Sequence, residues 1–255
     1  MKKEERFSYK NILLPLSMAI FLLIVWYVLA ARKVFPESAF PSPMDVVKGF
    51  TEEKHLFDDI IASLYRVSIG FVIAVALGIP LGLLMGLRMH ARLAFLPAVN
   101  FFRSLSPLAW IPFAITWFGL GDKPSIFLIF MAAFFPIVLA AAAAVAGIPA
   151  VIFRVADDYE FRGIERLIQV ILPAILPEVI TSLRVTAGLS WVVVVAAEMV
   201  AGRDGLGFLI WDARNQLRPD LVVVGMIVIG LIGVVLDRLL VQLTRIPSVR
   251  WGYER

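Results

Sequence analysis

IPAVIFRVADDYEFRGIERLIQVILPAILPEV, residues 148–179, separates two strongly apolar stretches and is too long for a simple turn between them. Pro149 suits the first turn of a helix. Ile152, Val155, Ala156 and Tyr159 recur at helical spacing on one face, while Arg154, Asp157, Asp158 and Arg162 lie largely elsewhere. Gly163 offers a stop, and a second apolar helix then leads to Leu172-Pro173. A short amphipathic helix of this kind has two uses. It can dock into a groove on a partner protein, or it can lie on lipid. The acidic cluster Asp157, Asp158 and Glu160 disfavours an anionic lipid surface.

Outward from this segment the chain is mostly apolar. Six stretches, at about 12–31, 65–87, 104–121, 125–146, 179–201 and 221–241, approach the roughly 20 residues that a spanning helix needs. None alternates polar and apolar as a barrel strand does. The first, closed by Arg32-Lys33, is longer than a signal-peptide core of about 7–15 residues and reads as an uncleaved span. Only Gly119 to Pro124 separates the third and fourth stretches. The composition agrees. Hydrophobic residues make up 60% and charged residues 17% of the 255, against about 45–50% and about 25% in soluble domains. This excludes a disordered tail, a disulfide scaffold and an ordinary soluble enzyme.

Lysine and arginine set the expected direction. With both termini cytosolic, the inside segments hold 15 of the 24 basic residues, and the short loop Arg88-Met89-His90-Ala91-Arg92 lies inside. The formal net charge of +4 then reports loop orientation rather than a nucleic-acid partner. His90 reads as a solvated loop residue, since no second metal ligand stands near it.

Within the second span, Gly70, Ala74, Gly78, Gly82 and Gly86 recur every four residues and form one stripe of small side chains. Such a stripe lets another backbone approach closely, either as fixed packing or as a surface that slides during gating. Motifs for chemistry are absent. There is no G-x-x-x-x-G-K-[ST], H-E-x-x-H or G-x-S-x-G, and the only histidines are His55 and His90. Gly202-Arg203-Asp204-Gly205-Leu206-Gly207 follows a span rather than a strand, so it reads as a reversing loop and not a dinucleotide fingerprint. The chain is therefore expected to be a conduit or interaction partner, not an enzyme. Two carboxylates touch the spans. Glu178 suits a helix start. Glu198 follows a run of valines and alanines, either as a helix-paired carboxylate near the outer interface or as a pathway or gate residue.

The segment at 148–179 resembles the EAA loop of bacterial ABC-importer permeases. The likeness continues through Ser182-Leu183-Arg184, Gly188-Leu189-Ser190-Trp191, Ala197-Glu198-Met199 and Gly205-Leu206-Gly207, then Asp212-Ala213-Arg214-Asn215, Gly230-Leu231-Ile232-Gly233 and Asp237-Arg238. Upstream, Pro41-Ser42-Pro43, Ser106-Pro107-Leu108-Ala109-Trp110-Ile111-Pro112 and Trp117-Phe118-Gly119-Leu120-Gly121 belong to the same pattern. Together they resemble the nitrate/sulfonate/taurine/bicarbonate branch. One departure stands out. Glu160 occupies the usual EAA glycine position, and Arg154-Val155-Ala156 replaces E-A-A. Glutamate there strains a left-handed turn or shifts the turn to Gly163.

The resemblance implies an all-α membrane permease of about six spans, the type I ABC-importer permease fold, in a bacterial cytoplasmic (inner) membrane. The whole chain, 1–255, is then one transmembrane domain, with residues 1–11 and 242–255 cytosolic and about 147–177 the coupling segment. It further implies a second copy of the chain, two cytosolic ATPase subunits that bind the ATP and Mg, and an extracytoplasmic binding protein. The cargo would be a small oxyanion or sulfonate. Val155, Ala156, Asp157, Asp158, Tyr159, Glu160 and Arg162 would contact the ATPase. Arg103, Trp110, Arg184, Trp191 and Glu198 would line or gate the path, with Arg103 and Arg184 near its cytosolic end. The competing classes are a secondary transporter or channel working without an ATPase and a non-transporting scaffold.

Overall fold

A computed structural model describes residues 10–36 and 40–243. The cytosolic placement expected for 1–11 and 242–255 falls almost wholly outside the described residues. Among these residues the secondary structure is helical: α1 (Lys10–Ala31), α2 (Pro43–Glu52), α3 (Leu56–Leu87), α4 (Met89–Ser104), α5 (Ile111–Phe118), α6 (Asp122–Ala146), α7 (Ala150–Asp158), α8 (Gly163–Arg166), α9 (Leu172–Ala201), α10 (Leu206–Asn215) and α11 (Pro219–Leu243). A π-helical turn over Leu167–Ile171 joins α8 to α9 in one run of 39 residues, Gly163–Ala201. Pro173 has no amide for the carbonyl four residues back, and the backbone widens just before it. Among the described residues, five helices are long and apolar enough to cross a membrane.

The chain divides into two compact units, residues 1–55 with 210–227 and residues 56–209 with 228–255. In the first, Trp26 Nε1 donates to the Pro41 carbonyl at 3.0 Å. Ser42 and Asp45 form a reciprocal capping box on α2. The Ser42 hydroxyl and amide hold the Asp45 carboxyl below the usual carboxylate range. Gly49 admits the start of α11, where a Cβ would stand 3.2–3.4 Å from Asp220, Leu221 and Val224. Arg218 bridges Glu52 at 3.0 Å and Asp220 at 2.7 Å.

In the second unit, the small-residue stripe of α3 is filled by α6. A Cβ at Gly70 would meet Ile129 at 2.8 Å, one at Gly78 would meet Ile137 at 3.0 Å, and those at Gly82 and Gly86 would meet Ala141 and Val145 at 2.6 Å. Ala74 is buried with Ala133 and Ile137. The partners advance four residues at each step, so α3 and α6 run parallel in a fixed register. Of the two uses open to the stripe, the structure holds it in close packing within the chain.

The third apolar stretch differs from a plain span. Its helical part is short, Pro107–Phe118, and it begins with a 3-10 turn over Pro107–Trp110. Leu105 and Ser106 are extended, with ψ of 133° and 129°, as expected ahead of a proline that disfavours helix in the preceding residue. Contacts with α6 show how the crossing is nevertheless made. Val99 and Phe102 of α4 pack near Phe135 and Val138, Trp110 and Ala114 near Leu128 and Ala132, and Trp117 against Phe127. The chain thus climbs α6 from its middle toward its N-terminal end, in two pieces joined at 105–106.

Candidate functional site

At one end of the second unit, Arg66 of α3 is almost fully enclosed, with 1% exposure. A charge placed there must be paired or coordinated. Its Nη1 donates to Glu198 Oε1 at 2.7 Å and to the Asp204 carbonyl at 2.8 Å. Nη2 reaches the Asp204 carboxylate, and Nε donates to Asp122 Oδ1 at 2.7 Å. Glu198, with 0% exposure, also accepts from the Ser63 hydroxyl at 2.8 Å and the Gly207 amide at 3.0 Å. Asp59 accepts from the Gly205 amide at 2.7 Å. One cluster thereby ties α3, the first turn of α6, the last turn of α9 and the 202–207 loop together. Gly205 has φ +98°, and a Cβ there would stand 2.6 Å from Arg66 and Glu198. The glycines of this loop therefore bring backbone donors up to a buried carboxylate, which a reversing loop alone would not require.

Glu198 was the member legible in the sequence. Arg66, Ser63, Asp59 and Asp204 were not, and a signal for Arg66 did exist. It stands in α3 a turn before an unbroken apolar run, where an arginine needs a partner.

The other predicted pathway residues are scattered. Trp110 is half-buried in an aromatic group with Phe102, Phe113, Trp117 and Phe127. Trp191 is buried, and its Nε1 donates to the Ile229 carbonyl at 3.0 Å while Gly233 admits its ring. Arg184 forms a two-pronged pair with Asp237, at 2.7 and 2.9 Å. Arg103 lies in the last turn of α4 and is exposed. It lies beside Phe102, whose ring stacks on Phe135 at 5.5 Å, level with the middle of α6 rather than with its end.

At the opposite end lies the 148–179 segment. Helix α7 forms as expected, with Pro149 as its N-cap residue. Its apolar residues divide between two faces. Ile148 and Ala156 are buried, and Ile152 and Phe153 pack on Val145, Ile171 and Ile175. Val151, Val155 and Tyr159, at 61%, 47% and 73% exposure, make a row four residues apart that faces away. Ala156 thus belongs to the inward face, whereas Val155 and Tyr159 lie on the outward one. Asp157 pairs with Arg166 at 2.7 Å, and the Arg166 guanidinium sits over the Phe153 ring. Asp158, Glu160 and Arg162 are exposed. Glu160 has φ +56° and Gly163 has φ +54°. The turn therefore stays at the family glycine position in spite of the glutamate, and a second left-handed residue follows at Gly163. A cavity of about 760 Å³ opens beside this turn, with Arg88, Gly163 and Arg166 in its wall.

Residues 78–246 match the family described as the binding-protein-dependent transport system inner membrane component. The chain belongs to this family. Among its relatives, the bicarbonate transport system permease protein CmpB of Synechococcus elongatus is 36% identical over 261 residues, covering 95% of this chain and 92% of that protein. The taurine transport system permease protein TauC of Escherichia coli is 34% identical over 237 residues, covering 89% and 86%. The fold matches a chain of the inward-facing MetNI methionine ABC transporter with a TM-score of 0.61 at 19% identity, over 74% of this chain and 96% of that one. The protein is thus a membrane-spanning permease subunit of an ATP-driven importer, in a family of non-catalytic subunits. Membership implies an ATPase and a substrate-binding protein as partners.

Proposed function

We propose that two copies of this chain form the path for a small oxyanion or sulfonate. Bicarbonate, nitrate, taurine and alkanesulfonates are the candidate cargoes. A binding protein delivers the cargo from outside. Two ATPase subunits hold the ATP and Mg, and none is bound by this chain. The outward row Val151, Val155 and Tyr159 carries the coupling part of this reading. It is apolar, exposed and mounted on a helix whose other face is packed into the bundle. An aromatic residue presented this way suits a groove on a partner. Asp157, Asp158 and Arg162 set its orientation at the rim, and the Glu160 turn fixes the angle at which α7 leaves the bundle. Kinship with bicarbonate and taurine permeases supports the cargo class.

In this reading Trp110, Arg184, Trp191 and Glu198 shape the path without all touching cargo. Glu198 and Arg66 hold the extracytoplasmic loop, and Trp191 sets the spacing of α9 and α11. Uptake of these four solutes into vesicles, with and without the ATPase, tests the proposal. ATP-dependent uptake of at least one is expected. Uptake that persists without the ATPase would instead make the chain a secondary transporter or channel.

A further inference from the structure

The broken third crossing leaves an arginine in an unusual place. Arg103 lies in the last turn of α4, just before the extended pair Leu105 and Ser106. Its neighbour Phe102 stacks on Phe135, the fourteenth of the 25 residues of α6. With α6 taken as a span centred on a hydrocarbon core about 30 Å thick, this side chain reaches neither border. Facing lipid at that depth is costly, and a side chain there faces protein or a water-filled cavity instead. A cavity of about 400 Å³ is present at that point, with Arg103 beside Phe102, Leu105, Met131, Pro136 and Leu189. Among the described residues the Arg103 side chain has no hydrogen-bond or ion-pair partner. This contrasts with Arg66 and Arg184, both held by carboxylates.

A guanidinium presents a planar fork of donors that fits an oxyanion with two parallel hydrogen bonds. The rest of the wall is apolar or backbone, so a second negative charge would find no partner there. We propose that Arg103 forms a mid-membrane holding site for monoanionic oxyanions or sulfonates in transit. This rests on the anion-import reading above and adds to it a position, a residue and a preference for single over double charge.

The chain has no cysteine, so R103C introduces the permease's own thiol, and the test uses the complete complex with its ATPase and binding protein in liposomes, with wild-type complex given the same reagents. Bicarbonate, nitrate and methanesulfonate serve as monoanionic probes, and the dianion sulfate should be taken up more slowly than any of them. R103Q should lower uptake at saturating anion at least tenfold, while ATP hydrolysis stimulated by the binding protein persists. R103K should keep more uptake than R103Q. R103C should be as slow as R103Q, regain uptake after aminoethyl methanethiosulfonate restores a cation, and stay slow after the sulfonatoethyl or methyl reagent. Wild-type uptake by R103Q, equal recovery with the uncharged methyl reagent, or failure of both R103Q and R103C to assemble would each overturn the site. If wild-type complex moves none of the probe anions, the anion-import reading itself fails, a result distinct from transport that ignores Arg103.

Discussion

Replacing Arg66 with methionine would leave Glu198 enclosed with no charged partner. Breaking a buried ion pair from one side costs about 3–5 kcal/mol, because the remaining charge stays desolvated. Asp122 and Asp204 add little to that cost, since they are 53% and 60% exposed and water takes over their solvation. The reverse change is gentler. In Glu198→Gln, Arg66 keeps both of those carboxylates, and the amide oxygen still accepts from a neighbouring donor. The loss is then nearer that of one hydrogen bond to a charged group, about 1.5–3 kcal/mol. The two substitutions share a contact, so the double variant should be more stable than the sum of the single losses by about 1–3 kcal/mol. The cycle is read by denaturant unfolding of the purified chain in mild detergent, with its tryptophans as the signal. A single cysteine at Arg203 gives a local readout, and its modification should quicken in the Arg66→Met background as the loop is released. Additive losses, or an Arg66→Met chain within about 0.5 kcal/mol of wild type, would refute the clamp.

Single cysteines at Met89 and Leu120, both exposed, should label from opposite sides of the membrane, and labelling of both from outside would defeat the crossing built from α4 and α5. Gly82→Val should destabilise the chain by about 1–3 kcal/mol through overpacking, since even a Cβ there meets Ala141 and the Val138 carbonyl at 2.6 Å; unchanged unfolding would show that the helices can part. Tyr159→Ala should weaken ATPase capture by about 2 kcal/mol, roughly thirtyfold, or raise the ATP hydrolysed per anion moved, with membrane insertion intact. An Asp157/Asp158 double alanine variant should shift the same measurements, and if neither variant does, α7 is not the contact. Glu160→Gly should stabilise the α7–α8 turn by about 1 kcal/mol by relieving a left-handed residue, detectable as slower amide exchange over 157–163.

The membrane class and the long helices were legible because they rest on sums over many residues. An apolar stretch near 20 residues has few other fates, and a stripe of small residues every fourth position announces a close helix contact. Its partner was not legible. The facing residues Ile129, Ala133, Ile137, Ala141 and Val145 carry the same four-residue spacing, but they are embedded in a helix that is apolar all round, where any face could serve. The third crossing was misread in detail for the opposite reason. Hydropathy sees the side chains of 104–121, whereas Ser106-Pro107 acts through the backbone and divides the crossing between α4 and α5.

The two polar sites differ in the same way. The coupling segment is local, so its helix, its stop and its departure from the family glycine could all be read along the chain. What spacing could not decide was which apolar face of α7 turns inward. Ala156 and Val155 are adjacent in the pattern, yet one is 2% and the other 47% exposed. That choice depends on Val145, Ile171 and Ile175, which reach α7 from helices before and after it. The clamp is non-local throughout, since Arg66 and Glu198 lie 132 positions apart. Glu198 attracted notice because a carboxylate among valines is costly, and the same reasoning applies to Arg66 once α3 is seen to begin at Leu56, well before the apolar stretch at about 65–87. A charge near the edge of an apolar stretch is readily assigned to the loop beyond it. The stretch at about 65–87 takes Arg66 in only at its margin, and the helix start at Leu56 puts it well inside α3; Asp58 and Asp59, which favour a first helical turn, were the residues that marked that start.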